Sequence, residues 1–167
     1  MGKREYPWKI SVISGIEKPR WIFIAFQTDR HMTQEQNPAV FNNLNLQKCY
    51  ITLSKQYPMN EITTNFQIND YSKIYEMMTS FKREHYGFNN LIGGTQINVH
   101  DFKNLFPILA FDVRNQKDKL TTGVVNMQIK IVWNEAVPAN TIAYTVILSD
   151  RLFKLQSDGK NFKVVSY

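Results

Sequence analysis

Three histidines, one cysteine and a scatter of carboxylates are the residues through which this chain would have to do chemistry. His31, His85 and His100 lie in three separate segments, and no two of them have the HxxxH or HxH spacing that aims a pair of imidazoles at one metal. A metal centre would have to be assembled wholly from distant parts of the chain, and none is expected. Cys49 sits within an alternating apolar run, the position of a small packed residue rather than a nucleophile. No serine stands in a Gly-x-Ser-x-Gly elbow. Glu61, Asp70, Glu76, Asp101, Asp112 and Glu135 are dispersed, whereas a paired-carboxylate mechanism needs two acids converging in one cleft. Asp29-Arg30 and Asp150-Arg151 each follow a long apolar run, where an acid and a base can meet as a loop ion pair. Gly93-Gly94 has neither the spacing of a phosphate-binding fingerprint nor a downstream Lys-Ser or Lys-Thr pair, so it reads as a flexible link. The expectation is a protein that is not an enzyme, with no catalytic residues, no cofactor and no metal.

Composition narrows the remaining classes. A chain of 167 residues is expected to form one domain, large enough to bury a core without disulfides or metal. Its single cysteine excludes an intrachain disulfide and a multi-cysteine zinc site, and points to a reducing compartment. No apolar run approaches the roughly 18 to 20 residues needed to cross a bilayer, and MGKREYPWKI lacks the apolar stretch of a signal peptide. A soluble, unprocessed chain without membrane insertion is therefore expected. The formal charge of +6 favours acidic partners. It is spread over small groups (Lys3 and Arg4, Lys18 and Arg20, Lys82 and Arg83, Lys117 and Lys119, Lys160 and Lys163) with no long run of like charge, which is the pattern of a solvated surface.

The elements that would position these residues are mostly strands. Trp21 to Phe26 is an unbroken aromatic and β-branched run, bounded by Pro19 and by Gln27, Thr28 and Asp29, and reads as a strand covered on both faces. Alternation marks a first strand around Trp8, Ile10 and Val12, a third through Cys49, Ile51 and Leu53, and a clear later one in which Val125, Met127, Ile129, Ile131 and Trp133 share a row. Ile62 to Phe66, Pro107 to Val113, Thr141 to Phe153 and Phe162 to Val165 complete about eight strands. Asn134 to Asn140 reads as a hairpin connection and Asp158-Gly159 as a turn. The polar stretch Gln27 to Asn45 has a length at which loops become functional. One segment breaks the pattern: Tyr71, Ile74, Tyr75, Met78 and Phe81 trace one face of an amphipathic helix, with Asp70 as its expected N-cap and Gly87 as its stop. Val99 to Asn104 reads as a further helical turn.

Several segments, KPRWIFIAFQTDR, NPAVFNN, LQKCYITLSKQYPMNE, YSKIYEMMTSFKREHYG, PILAFDVRNQKD and VPANTIAYTVILSDRLFKL, occur in this order from about Trp8 to Leu155. Together they resemble the double jelly-roll-like family, which is related to the major capsid proteins of large-capsid DNA viruses and polinton-type mobile elements. The resemblance implies an all-β fold, an eight-stranded antiparallel jelly-roll β-sandwich with one helix in a long connection. It also implies that residues 1–167 are one jelly-roll domain, the C-terminal roll of a longer double jelly-roll protein. The implied role is structural: shell formation by self-assembly, with self as the first partner in a trimeric capsomer. Neighbouring capsid proteins are further partners, and packaged DNA meets the subunit only through non-specific contact. The implied location is the virion capsid, made in the host cytoplasm or nucleus. The resemblance assigns no interface residues, although the Gln27 to Asn45 and Tyr86 to Asn98 connections are candidates for neighbour contacts. The alternative is a host-encoded jelly-roll binding module recognising carbohydrate or protein, with Tyr6, Trp8, Tyr86 or Phe88 as stacking platforms.

Overall fold

Alternating and continuous apolar runs fold here into two antiparallel sheets packed face to face. The computed structural model describes residues 4–12, 18–30, 33, 35–53, 61–87, 97–114, 125–150, 153–157, 159 and 161–166. In chain order the elements are β1 (Glu5–Val12), β2 (Lys18–Thr28), β3 (Leu46–Leu53), β4 (Ile62–Thr63), α1 (Ser72–Tyr86), α2 (Val99–Asn104), β5 (Leu109–Asp112), β6 (Val125–Trp133), β7 (Thr141–Asp150), β8 (Phe153–Ser157) and β9 (Phe162–Ser166). One sheet has the order β1-β6-β3-β4 and the other β5-β2-β7, while β8 and β9 form a two-stranded pair among the described residues.

The expected all-β antiparallel fold is present, and its pairing is that of a rolled hairpin. β3 pairs β4, β2 pairs β5 and β1 pairs β6, each pair nested inside the next, and every pairing is antiparallel. Rolling then brings β6 against β3 and β7 against β2. This is jelly-roll topology. Among the described residues seven strands build the sandwich, four in one sheet and three in the other.

The core lies between the sheets. Ile22, Ile24 and Phe26 of β2, Leu109 and Phe111 of β5, Cys49, Ile51 and Leu53 of β3, and Met127, Ile129 and Ile131 of β6 are all buried in one cluster. The rings of Phe26 and Trp133 meet edge to face across the gap at 5.7 Å. Burying such side chains contributes about 1.5–3 kcal/mol each. The other row of β2 does not lie between sheets. Trp21 and Phe23 pack edge-on beneath Phe81 of α1 at 5.0 and 4.9 Å, so a helix supplies the second cover that the unbroken apolar run required.

Helix α1 follows its apolar stripe, with Ile74 and Met78 buried and Gly87 ending it in a left-handed conformation at φ 68°. Its N-cap is Tyr71 and not Asp70. The backbone of Asp70 is already held in a reciprocal pair with Asn65, at 2.7 and 2.8 Å, so the helix starts beyond it. Val99 to Asn104 is a true short helix capped by the Asn98 side chain. Two further expectations change. The 134–140 connection is not a hairpin, because both edges of β6 are taken by β1 and β3, and the chain crosses to the other sheet to pair with β2. The Thr141 to Phe153 run is two strands, β7 and β8, with residues 151–152 outside the described residues.

Candidate functional site

The chemistry-bearing residues are kept apart by this topology. Antiparallel pairing of β2 with β7 sets Thr28 opposite Thr141 and Lys18 opposite Asp150, so Asp29 and Asp150 stand at opposite ends of one ladder, while Arg151 is outside the described residues. Asp150 pairs instead with Arg20. Asp29 receives its neighbour through the backbone, its N–H donating to the Asn140 carbonyl at 3.3 Å. His85 stacks on Phe81 at 5.1 Å, and His100 lies beside Asp101 at 3.5 Å, while His31 is outside the described residues. Among the described residues no group of three or more His, Cys, Asp or Glu side chains is placed to hold a metal.

Four of the six carboxylates considered, Glu61, Asp101, Asp112 and Glu135, are engaged by side-chain partners. Asp101 receives the Asn98 side-chain amide at 2.8 Å. Glu61 accepts from Lys48 at 2.7 Å, and Glu135 accepts from Asn45 and Gln67 at 3.1 and 3.0 Å. The densest cluster is a clamp. Arg114 donates to both Asp112 oxygens, from Nε at 3.0 and 3.1 Å and from Nη2 at 2.6 Å, and reaches the Glu84 carbonyl at 2.7 Å and carboxylate at 3.1 Å. Its guanidinium also lies 5.3 Å from the Trp21 ring. Burial pushes the Asp112 carboxyl up, but the hydrogen bonds and charge of Arg114 outweigh this and hold it below its ordinary range. Glu84 is lowered by hydrogen bonds from Arg114 and Arg83, and Arg114 is itself raised, first by Asp112. An acid whose lone pairs are filled by a permanent cation ties the end of α1 to the end of β5 and has no proton to exchange near neutrality. Cys49 is fully buried, and desolvation drives its thiol upward, away from the nucleophilic thiolate.

The feature that chemistry-based reading could not locate is an open flank. Register puts Tyr6, Trp8 and Ile10 of β1 on the same face as Ile131, Ile129 and Met127 of β6, yet Tyr6 is 50% exposed and the other two are half-buried. Across the sandwich the inner row of β7, Ala143, Thr145 and Ile147, is also only half-buried. Between these two edge strands runs a groove of about 390 Å³, lined by Tyr6, Trp8, Phe26, Ile131, Trp133 and Ala143 and closed at one end by Pro138, Asn140 and Thr141 of the β6–β7 connection. The indole Nε1 of Trp133 is buried and has no hydrogen-bond partner among the described residues.

A second, shallower cleft between α1 and α2 carries Tyr71, Tyr75, His100 and Lys103. There the Lys103 ammonium is engaged by Asn69 at 2.6 Å.

Residues 2–153 match the family description of the double jelly roll-like domain. The chain belongs to the double jelly roll-like domain family. No curated protein and no solved structure matches it. Within this double jelly roll-like domain the matched span takes in both sheets, both helices and the start of β8. Of the aromatic residues considered for stacking, Tyr6 and Trp8 come together in the groove, whereas Tyr86 packs at the end of α1 against Phe81 and His85. Phe88 is outside the described residues. Among the described residues no helix is long and apolar enough to cross a membrane.

Proposed function

We propose that this chain is a structural, capsid-type protein whose jelly-roll sandwich builds a shell by self-assembly. The observation that carries this reading is the open flank: an aromatic groove between β1 and β7 forms an apolar surface of the kind that contact between subunits would cover. Family membership supports it, since the family is described by a jelly-roll architecture and not by a reaction. On this reading the domain stands as the C-terminal roll beside a second roll, copies meet in a trimeric capsomer, and the protein resides in the virion capsid. Exposed basic residues such as Lys82 and Arg83 would give only salt-sensitive, non-specific contact with packaged DNA. Imaging of particles carrying the protein in its source tests this: hexagonally packed capsomers are expected, and dispersed monomers would overturn it.

A second reading, a binding module for carbohydrate, is favoured by one specific observation. Tyr6 and Trp8 present aromatic surface in the groove, with Asn140 and Thr141 at its end to hydrogen-bond hydroxyls. A glycan array without hits removes it.

A further inference from the structure

The outer face of the β5-β2-β7 sheet is apolar across its width, and helix α1 covers only part of it. Directly opposed residues of antiparallel strands share a face, so register places Asp112 and Ala110 of β5, Trp21 and Phe23 of β2, and Leu148 and Val146 of β7 on one surface, with Tyr144 opposite Ala25 at its end. Over β5 and β2 lies α1, and there Trp21 is only 1% exposed. Over β7 the same surface is open, with Val146 57% and Tyr144 41% exposed.

The helix is held to this surface in two different ways. Its first half is anchored in the core through Ile74 and Met78. In its last turns Phe81 is half-buried on the rings of Trp21 and Phe23, while Lys82 to Tyr86 are exposed. The Arg114 guanidinium binds this end, reaching the Glu84 carbonyl and carboxylate on the helix and the Asp112 carboxylate beside Trp21 on the sheet. One half is fixed by apolar burial and the other by charge.

We infer that the last turns of α1, from Phe81 to Tyr86, are an acid-released latch: they lift while Ile74 and Met78 stay in the core, and Trp21 and Phe23 then join Leu148, Val146 and Tyr144 in one bared apolar surface. Arg114 keeps its charge at any working pH, so the latch fails only when its acceptors are protonated. Burial works against the charged Asp112, but the hydrogen bonds and charge of Arg114 outweigh it, and Glu84 is lowered first by its hydrogen bond from Arg114. Both carboxyls therefore hold fully above the ordinary carboxylate range, near about pH 4, and let go as pH falls through their lower folded values. The other charged or titratable groups on this side are Arg83, bonded to Glu84, His85, stacked on Phe81, and Arg20 of β2, whose partner is Asp150 of β7. Once the acids are neutral, Arg114, Arg83, Arg20 and a cationic His85 share one neighbourhood, and their repulsion adds to the lost bonds. The latch belongs to the single chain and goes beyond the shell reading, with which it stands or falls separately.

The test is acrylamide quenching of Trp21 in the dilute chain carrying Trp8→Phe and Trp133→Phe, followed from neutral pH down to about pH 3, beside labelling of the buried Cys49 by dithiodipyridine, which reacts with thiols in acid. Quenching is expected to rise several-fold in one acid step through which Cys49 stays unreactive. Adding Asp112→Asn with Glu84→Gln, which mimics the neutral acids, should bring the raised quenching to neutral pH and abolish the step. Amide exchange needs no tryptophan change: in Asp112→Asn with Glu84→Gln alone, amides from Phe81 to Tyr86 should speed several-fold while those of β6 and of Ile74 to Met78 keep their protection. Trp21 and Cys49 becoming accessible together would show global unfolding and overturn the inference. So would a Trp21 that stays shielded through the acid range, or amides that quicken equally along α1 or not at all.

Discussion

The two flanks of the sandwich are built from equally apolar sequence and end in opposite states. On one flank β4 and β5 close the sheets, and the chain between them folds back over the gap: Ile62, Phe66, Tyr71, Ile74 and Phe102 are all buried, with Phe66 stacked on Tyr71 at 5.2 Å and Tyr75 against Phe102 at 5.3 Å. On the other, the groove runs between β1 and β7, Tyr6 remains exposed, and Ala143, Thr145 and Ile147 are only half-buried. The difference lies in connectivity. A long β4–β5 connection carries two helices to spend on sealing one side, while the short β6–β7 crossing reaches only the end of the other.

The largest test of that contrast is truncation on each side. Phe102→Ala, at a position with 0% exposure, should cost about 3–5 kcal/mol in denaturant unfolding. Tyr6→Ala on the open flank should cost about 0.5 kcal/mol or less in the dilute chain while weakening association. Equal losses would erase the distinction between the flanks.

Next comes the clamp that holds the sealing helix. Asp112 and Glu84 have carboxyls lowered in the folded state, so the stability they add is present above the unfolded values, near about pH 4, and is lost as pH falls through their folded values. Asp112→Asn should cost about 1 kcal/mol at neutral pH, the low end for a charged hydrogen bond because the site is partly solvated. It should also flatten the loss of stability below pH 4; an unchanged acid limb would show that Arg114 is not holding α1 through this carboxylate.

Thiol labelling gives a kinetic version of the comparison. Cys49, buried and with its thiol pushed up by desolvation, should react only at the rate of unfolding, whereas a thiol at the open flank in Tyr6→Cys should label at once. Fast labelling of Cys49 in the native chain would contradict the packed core. The smallest effect belongs to the half-exposed Lys48–Glu61 pair at 2.7 Å. Glu61→Gln should change stability by no more than about 0.5 kcal/mol.

Much of the sealed part was legible in the sequence, because its signals are local. The Trp21–Phe26 run demanded cover on both faces, the 3.6-residue stripe of Tyr71 to Phe81 named the helix that supplies half of it, and Gly87 marked its end. The β6 row from Met127 to Trp133 faces the core as its alternation required. What sequence could not carry is pairing between distant segments. Asp70 has the chemistry of a cap, but its bridge to Asn65 decides otherwise. The 134–140 segment has hairpin chemistry, yet the occupied edges of β6 forbid the hairpin. Trp8 and Ile10 alternate as convincingly as Ile129 and Met127, yet they are only half-buried because β1 stands at the edge of its sheet while β6 lies inside it. The groove therefore had no signature beyond two aromatics at the start of β1.

Sedimentation velocity of the purified chain, run from dilute to concentrated solution beside Tyr6→Ala, tests most directly the claim that copies assemble through the flank that carries the groove. Wild type should shift with concentration to a larger assembly, and Tyr6→Ala should shift less. A wild-type chain that remains monomeric at every concentration would contradict it.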